Sequence, residues 1–123
     1  MEHEILSILS EEALKEIAIK TSSEDLQSEL AKDKYPLEVR YALASNPNIS
    51  FAVSEELAHN RIPLIRIRLA ANPSIHIRIL RYLSEDERRP VRDAVRYNPS
   101  MTWDILNHME CVQKARLSDW ACW

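Results

Sequence analysis

Apolar positions along this chain recur at a fixed distance. Val39, Ala42 and Leu43 stand three and four residues apart, as do Val91, Ala94 and Val95, and Ile65 and Leu69 match them in between. Each set ends at an Asn-Pro pair, at 46–47, 72–73 and 98–99, so the period is 26 residues, twice over. Spacing of three and four lines residues up on one helix face, and proline cannot continue a helix. VRYALASNP (39–47), IRIRLAANP (65–73) and VRDAVRYNP (91–99) therefore predict three short helices that stop at the same place. A second helix per copy is predicted by four sets of matched apolar positions. These are Ile49, Ile75 and Met101; Phe51, Ile77 and Trp103; Val53, Ile79 and Ile105; and Leu57, Leu83 and Met109.

A fixed period of this length is the signature of a repeat array. Copies run from about 37 to 61, 63 to 87 and 90 to 113, and each alone leaves an apolar face that stacking closes. The β-branched runs IRIR and IHIRIL alternate as strands do, but their places in the repeat match Leu43 and Val53, which argues for helix. Residues 1–36 read as a degenerate first copy. Ser10 and Ser23 are placed to cap helices, with Leu14, Ile17, Ala18, Leu26 and Leu30 on the buried side. Its acidic surface suits the end of an array. Residues 114–123 begin a further copy and depart from it. Trp120, Cys122 and Trp123 make that stretch apolar, as a cap over the last copy or as an end through which two chains dimerise. The whole, 1–123, is expected to be one all-α domain of two-helix repeats.

The chain contains no glycine. Helices commonly end on a left-handed residue, usually Gly and otherwise Asn, so Asn46, Asn72 and Asn98 are expected in that conformation. Composition, at 46% hydrophobic and 28% charged, is ordinary for a folded domain. No apolar run is long enough to span a membrane. The acidic start, MEHEILSILSEE, lacks the basic region of a secretory signal. Two cysteines do not make a disulfide framework, and a cytoplasmic location is the expectation.

The three segments, together with ELAHN (56–60) and YLSED (82–86), resemble the leucine-rich repeat variant family over roughly residues 30–110. The resemblance implies a right-handed superhelix, a HEAT-like α-solenoid. Some members of that family carry an iron–sulfur cluster on a separate group of cysteines. Cys111 and Cys122 supply two ligands at most, so no cofactor is expected. Arg40, Arg66 and Arg92 recur at one position, with Asp33, Asn60 and Asp86 six or seven residues upstream. In HEAT-like arrays, which these pairs resemble, Asp and Arg at such positions form a ladder between stacked units. The other use of such arginines is a row of phosphate contacts.

Net charge is −3, unevenly spread. Residues 1–38 hold ten acids and four lysines, whereas residues 61–96 hold nine arginines and four acids. The Arg-rich segment admits nucleic acid or another polyanion as a partner, but few aromatic residues interleave with it. Catalysis has little to stand on. His3, His59, His76 and His108 show no metal-binding spacing, there is no Gly-rich phosphate loop, and Cys111 near His108 reads as a buried, inert thiol.

The expected function is a non-catalytic scaffold that binds another protein. Positions that do not repeat point to its surface. The residue after each arginine is Tyr41, Ile67 or Asp93, and the residue before each asparagine is Ser45, Ala71 or Tyr97. Four apart, the two positions share a helix face. Tyr41, Ile67 and Tyr97 are the expected centre of a protein-binding groove on the concave side, with Arg68, Asp93 and Arg96 around it. Leu69, with copies on both sides, tests the register. Leu69→Ala is expected to lower stability by about 2–5 kcal/mol in a thermal or urea melt. An unchanged midpoint would show the copies to be misaligned.

Overall fold

The computed structural model describes residue 6 and residues 8–117, the side chains of 112–117 excepted. Trp120, Cys122 and Trp123 lie outside the described residues, and with them the expected apolar end. Among the described residues the chain is all-helical, with eight α-helices and no strand. In order they are α1 (Glu11–Lys20), α2 (Glu24–Leu30), α3 (Leu37–Ala44), α4 (Phe51–Ala58), α5 (Pro63–Ala70), α6 (Ile77–Leu83), α7 (Arg89–Arg96) and α8 (Trp103–Leu117).

Helices α2 to α7 have only seven or eight residues each. Isolated helices shorter than about 12–15 residues are marginal in water, so these must be held by packing. Odd-numbered helices pack in file, α1 on α3, α3 on α5 and α5 on α7. The even-numbered ones do the same, α2 on α4 and α4 on α6. One continuous core runs between the files. Val39, Leu43, Ile65, Leu69, Val91 and Val95 enter it from the odd file, and Leu30, Val53, Leu57, Ile79, Leu83, Ile105 and Met109 from the even file. Phe51, Ile77 and Trp103, also matched apolar positions, do not enter it. They open α4, α6 and α8 and are 39%, 41% and 75% exposed.

Helix starts follow local chemistry. Ser10, Ser23 and Ser50 each accept a hydrogen bond from the backbone N–H three residues on, which satisfies an otherwise unpaired donor. Ser74 and Ser100 do not take this role for α6 and α8. His76 caps α6 through Nδ1, which accepts from the Arg78 N–H. Thr102 Oγ1 accepts from Ile105 N–H at the start of α8. Pro63 opens α5, where its missing N–H costs nothing.

The helix ends differ from expectation. No described residue has positive φ, so Asn46, Asn72 and Asn98 are not left-handed. Each helix stops in right-handed geometry, with the Asn N–H donating to the carbonyl three residues back (Leu43, Leu69 and Val95, 3.0–3.1 Å). The Asn carbonyl then accepts from Ile49, Ile75 or Met101, closing a turn with proline second, the place that proline favours. The side-chain Oδ1 accepts from the N–H two residues on, at Asn48, Ser74 or Ser100 (2.7–2.9 Å). Such a turn needs no positive φ, and a chain without glycine can make it.

The amide Nδ2 faces the other way, into the preceding copy. Asn72 Nδ2 donates to the carbonyls of Ala44 (2.9 Å) and Asn46 (3.0 Å). Asn98 Nδ2 donates to those of Ala70 (2.6 Å) and Asn72 (2.9 Å). Asn46 Nδ2 donates to those of Ala18 (2.8 Å) and Thr21 (2.7 Å). All three asparagines are buried. In the first copy Thr21 stands in their place. Its hydroxyl accepts from Ser23 N–H, but it carries no amide. Gln27, fully buried, adds its own bridge, from Nε2 to the carbonyls of Thr21 and Asn48 and from Ser50 N–H to Oε1.

Asn72 is thus held for its side chain and not for its backbone freedom. Asn72→Ala is expected to cost on the order of 1–3 kcal/mol, because buried carbonyls lose their donor. Asn72→Gly will not be better tolerated, and Asn72→Asp will be worse than either, since a carboxylate would face two carbonyl oxygens. Urea melts of the three variants check the order.

Candidate functional site

Three groups of side chains stand out beyond the core. The first lies on the odd file. Val39, Ile65 and Val91 are buried, as are Leu43, Leu69 and Val95, and these are the positions that repeat. The non-repeating neighbours lie further out. Tyr41, Ile67 and Asp93 are half-buried, Ser45 is half-buried, Ala71 is exposed and Tyr97 is 82% exposed. Arg68 joins two helices of this face. From α5 it reaches back to α3, donates from Nε to the Ser45 hydroxyl and lies over the Tyr41 ring at 5.4 Å. A guanidinium over an aromatic face is attracted by the ring quadrupole. Ile67 also packs against the core, and Arg96 is half-buried. Tyr41, Ser45 and Arg68 are therefore brought into contact. Tyr97, at the end of α7, is the most open member.

The second group lies at the edge where the even helices turn into the odd ones. Arg66, with its side chain only 9% exposed, makes a forked pair with Asp86, Nε to Oδ2 at 2.7 Å and Nη2 to Oδ1 at 3.3 Å. Its Nη1 donates to the Asn60 carbonyl at 2.6 Å. One arginine so ties the turn before α5 to the turn before α7. Arg92 Nη1 donates to the Asp86 carbonyl at 2.7 Å. Arg40 Nη1 donates to Asp33 Oδ1 at 3.0 Å. Arg66 is committed to Asp86 and Arg40 is paired with Asp33, so the recurring arginines do not stand as a row of free phosphate contacts. Planar bidentate geometry explains why arginine and not lysine serves here.

Glu29 anchors the same edge near α2 and was not singled out by its sequence. Its side chain is buried, yet its carboxylate accepts from Lys32 Nζ (2.7 Å) and Tyr35 Oη (3.0 Å) and pairs with Lys34 Nζ (2.8 Å). Lys32, followed by Lys34, holds it at about 2, well below the usual 4.5, against the opposing pull of burial. Burial, and next the Glu29 carboxylate, push the Tyr35 phenol up. Lys34 is raised by its bond to Glu29. The signal available in sequence was a glutamate followed by Lys32, Lys34 and Tyr35, but nothing there showed that the carboxylate turns inward.

The third group is on the even file. Phe51 meets His76 edge to face at 4.9 Å and lies 5.8 Å from the Arg78 guanidinium. His59 lies against Tyr82, whose hydroxyl is 2.9 Å from His59 Nδ1. His108 Nε2 is 2.7 Å from Glu85 Oε1. Each polar contact links positions 23 residues apart. Cys111 is exposed on α8 and is not the buried thiol expected from its apolar neighbours. Among the described residues no group of three His, Cys, Asp or Glu side chains is placed to hold a metal ion. No described helix is long and apolar enough to cross a membrane.

Comparison with protein-family models, with curated proteins and with solved structures returns no match to this chain.

The Glu29 cluster predicts an acid response. A carboxylate whose proton affinity falls on folding adds stability above its unfolded value, and that stability is lost as pH falls through its folded value. The cluster contributes fully above about pH 4.5 and fades toward pH 2. Glu29→Gln is expected to be less stable than the parent at pH 7, with the gap narrowing between pH 4.5 and 2. Urea melts across that range measure it, and a gap independent of pH would show the carboxylate charge to be immaterial.

Proposed function

We propose that the chain is a non-catalytic α-solenoid scaffold, similar to leucine-rich repeat variant proteins, that binds another protein through a concave face formed by its odd-numbered helices. The observation that carries this reading is the contrast between positions. What repeats (Val/Ile, Leu/Val, Asn, and the arginines Arg40 and Arg66) is buried, with Arg92 half-buried, and what varies (Tyr41, Ile67, Asp93; Ser45, Ala71, Tyr97) is half-buried or exposed. Packing constrains the first set. A partner whose chemistry changes along its length would favour variation in the second. Tyrosine and arginine are the side chains enriched at interface centres, and Tyr41, Arg68 and Tyr97 supply them here. Asp93 and Arg96 add charges of both signs at the rim, where they set orientation and encounter rate.

The Arg-rich segment 61–96 supports a polyanion less well. Arg66 is committed to Asp86, Arg92 to a backbone carbonyl, and Arg68 to Tyr41 and Ser45. The test is to identify proteins retained by the immobilised chain and measure their affinity for the parent and for Tyr97→Ala. This exposed tyrosine should change the melting behaviour by no more than about 0.5 kcal/mol. Affinity should fall about tenfold or more, as for an interface anchor. Partners bound equally by both would remove the surface from consideration. Salt-sensitive retention of nucleic acid, with no protein retained, would favour the polyanion.

A further inference from the structure

We propose that Arg40 is the centre of a binding site for a carboxylate ligand, at the edge where the turns before α3 and α5 meet. The molecule contains its own template. Twenty residues after Arg66 stands Asp86, whose carboxylate takes the fork of that guanidinium at Nε and Nη2. Twenty residues after Arg40 stands Asn60. In every other respect Asn60 does what Asp86 does. Its Oδ1 accepts from the Ile62 N–H (2.9 Å), as Asp86 Oδ1 accepts from the Arg88 N–H (2.8 Å). Its carbonyl accepts from Arg66 Nη1 (2.6 Å), as the Asp86 carbonyl accepts from Arg92 Nη1 (2.7 Å). What it lacks is a second oxygen, and the negative charge, for the arginine behind it.

The result is visible at Arg40. Its side chain is as enclosed as that of Arg66, 9% exposed in each, yet Nε has no hydrogen-bond partner, the one such buried side-chain atom among the described residues. A buried donor left unpaired is a vacancy for an acceptor. Arg40 lines an open groove of about 610 Å³ together with Asp33, His59, Asn60, Arg61 and Ile62. Arg61 is exposed there and forms no ion pair among the described residues. A ligand carboxylate entering this groove meets Arg40, whose Nε still lacks an acceptor, and a second cation beside it.

Carboxylate is the class favoured over phosphate for two reasons. The matching edge of Arg66 is filled by a carboxylate. Asp33, already on Arg40 Nη1, repels a second, more highly charged anion. A glutamate or aspartate side chain of a bound protein segment and a free small acid share this chemistry. The site stands apart from the Tyr97 surface, so failure of either leaves the other unaffected.

Arginine Nε–H signals in nitrogen–proton correlation spectra read the site directly. The parent chain is titrated at constant ionic strength with propionate, with a hexaglutamate peptide and with inorganic phosphate. A saturating downfield shift of the Arg40 Nε–H is expected with a carboxylate and not with phosphate. Saturation at lower concentration by peptide or by propionate names the source. In Asn60→Asp the internal carboxylate should fill the site: the signal is shifted before any addition, the titration is lost, and the melting temperature rises. No saturating shift with either carboxylate overturns the proposal, even if Asn60→Asp melts higher. So does a titration that survives in Asn60→Asp, or a phosphate response stronger than both carboxylates.

Discussion

The contact between one helix-ending turn and the turn before it depends on a primary amide. An asparagine after each of α3, α5 and α7 uses its oxygen to close its own turn and its nitrogen to bridge two carbonyls of the segment before. Helix ends leave carbonyls without partners, and in a buried setting that is costly. Here the unpaired carbonyls of one helix are satisfied by the turn that follows the next. The same side chain therefore stops a helix, shapes a turn and fixes the spacing of neighbours. None of the smaller or charged alternatives does all three. Glycine has no amide, aspartate has no donor, and serine or threonine can close the turn but not reach across. Thr21 illustrates the last case, and Gln27 adds a bridge of its own between Thr21 and Asn48.

Two edges of the molecule follow different rules because of this division of labour. At the asparagine edge, neutral amides meet carbonyls, and the bonds are buried and insensitive to salt. At the opposite ends of the odd helices, charges do the work: Arg66 with Asp86, Arg40 with Asp33, and Glu29 with Lys32 and Lys34. The one pair here that is buried on both sides among the described residues, Arg66 with Asp86, is weak evidence for stability against an apolar alternative. Its virtue is geometric, since a forked arginine accepts only one arrangement of its carboxylate.

Much of this was legible in the sequence, and the misses have physical reasons. Helices α3 to α8 followed from apolar spacing and proline, because both act through local backbone geometry. The buried status of Leu43, Leu69, Val53 and Leu57 followed too. Asn46, Asn72 and Asn98 were marked as helix ends, but their conformation was misjudged. A rule based on backbone propensity does not see a side chain that bonds 26 and 28 residues away. Phe51, Ile77 and Trp103 share a repeat position and an apolar character, and neither property tells a core face from an open one at the first residue of a helix. Cys111 was expected to be buried because apolar residues surround it in sequence, but a helix turns a residue away from its neighbours within two positions. Gln27 and Glu29 carried no periodic signal at all. The varying positions Tyr41, Ile67 and Tyr97 come from asking what fails to repeat, and the structure places them half-buried or exposed.

The hydrogen bonds that join the copies span 20 to 28 residues along the chain, whether they come from Asn98, Arg66 or Tyr82. A segment needs only its neighbour to complete these bonds, and no strand must search for a distant mate. Chains with such local wiring have low contact order and fold fast for their size. Adjoining segments bonded in this way can order without waiting for a distant part of the chain. The same wiring means that opening is graded. A segment bonded to neighbours on both sides is held more firmly than one bonded on a single side.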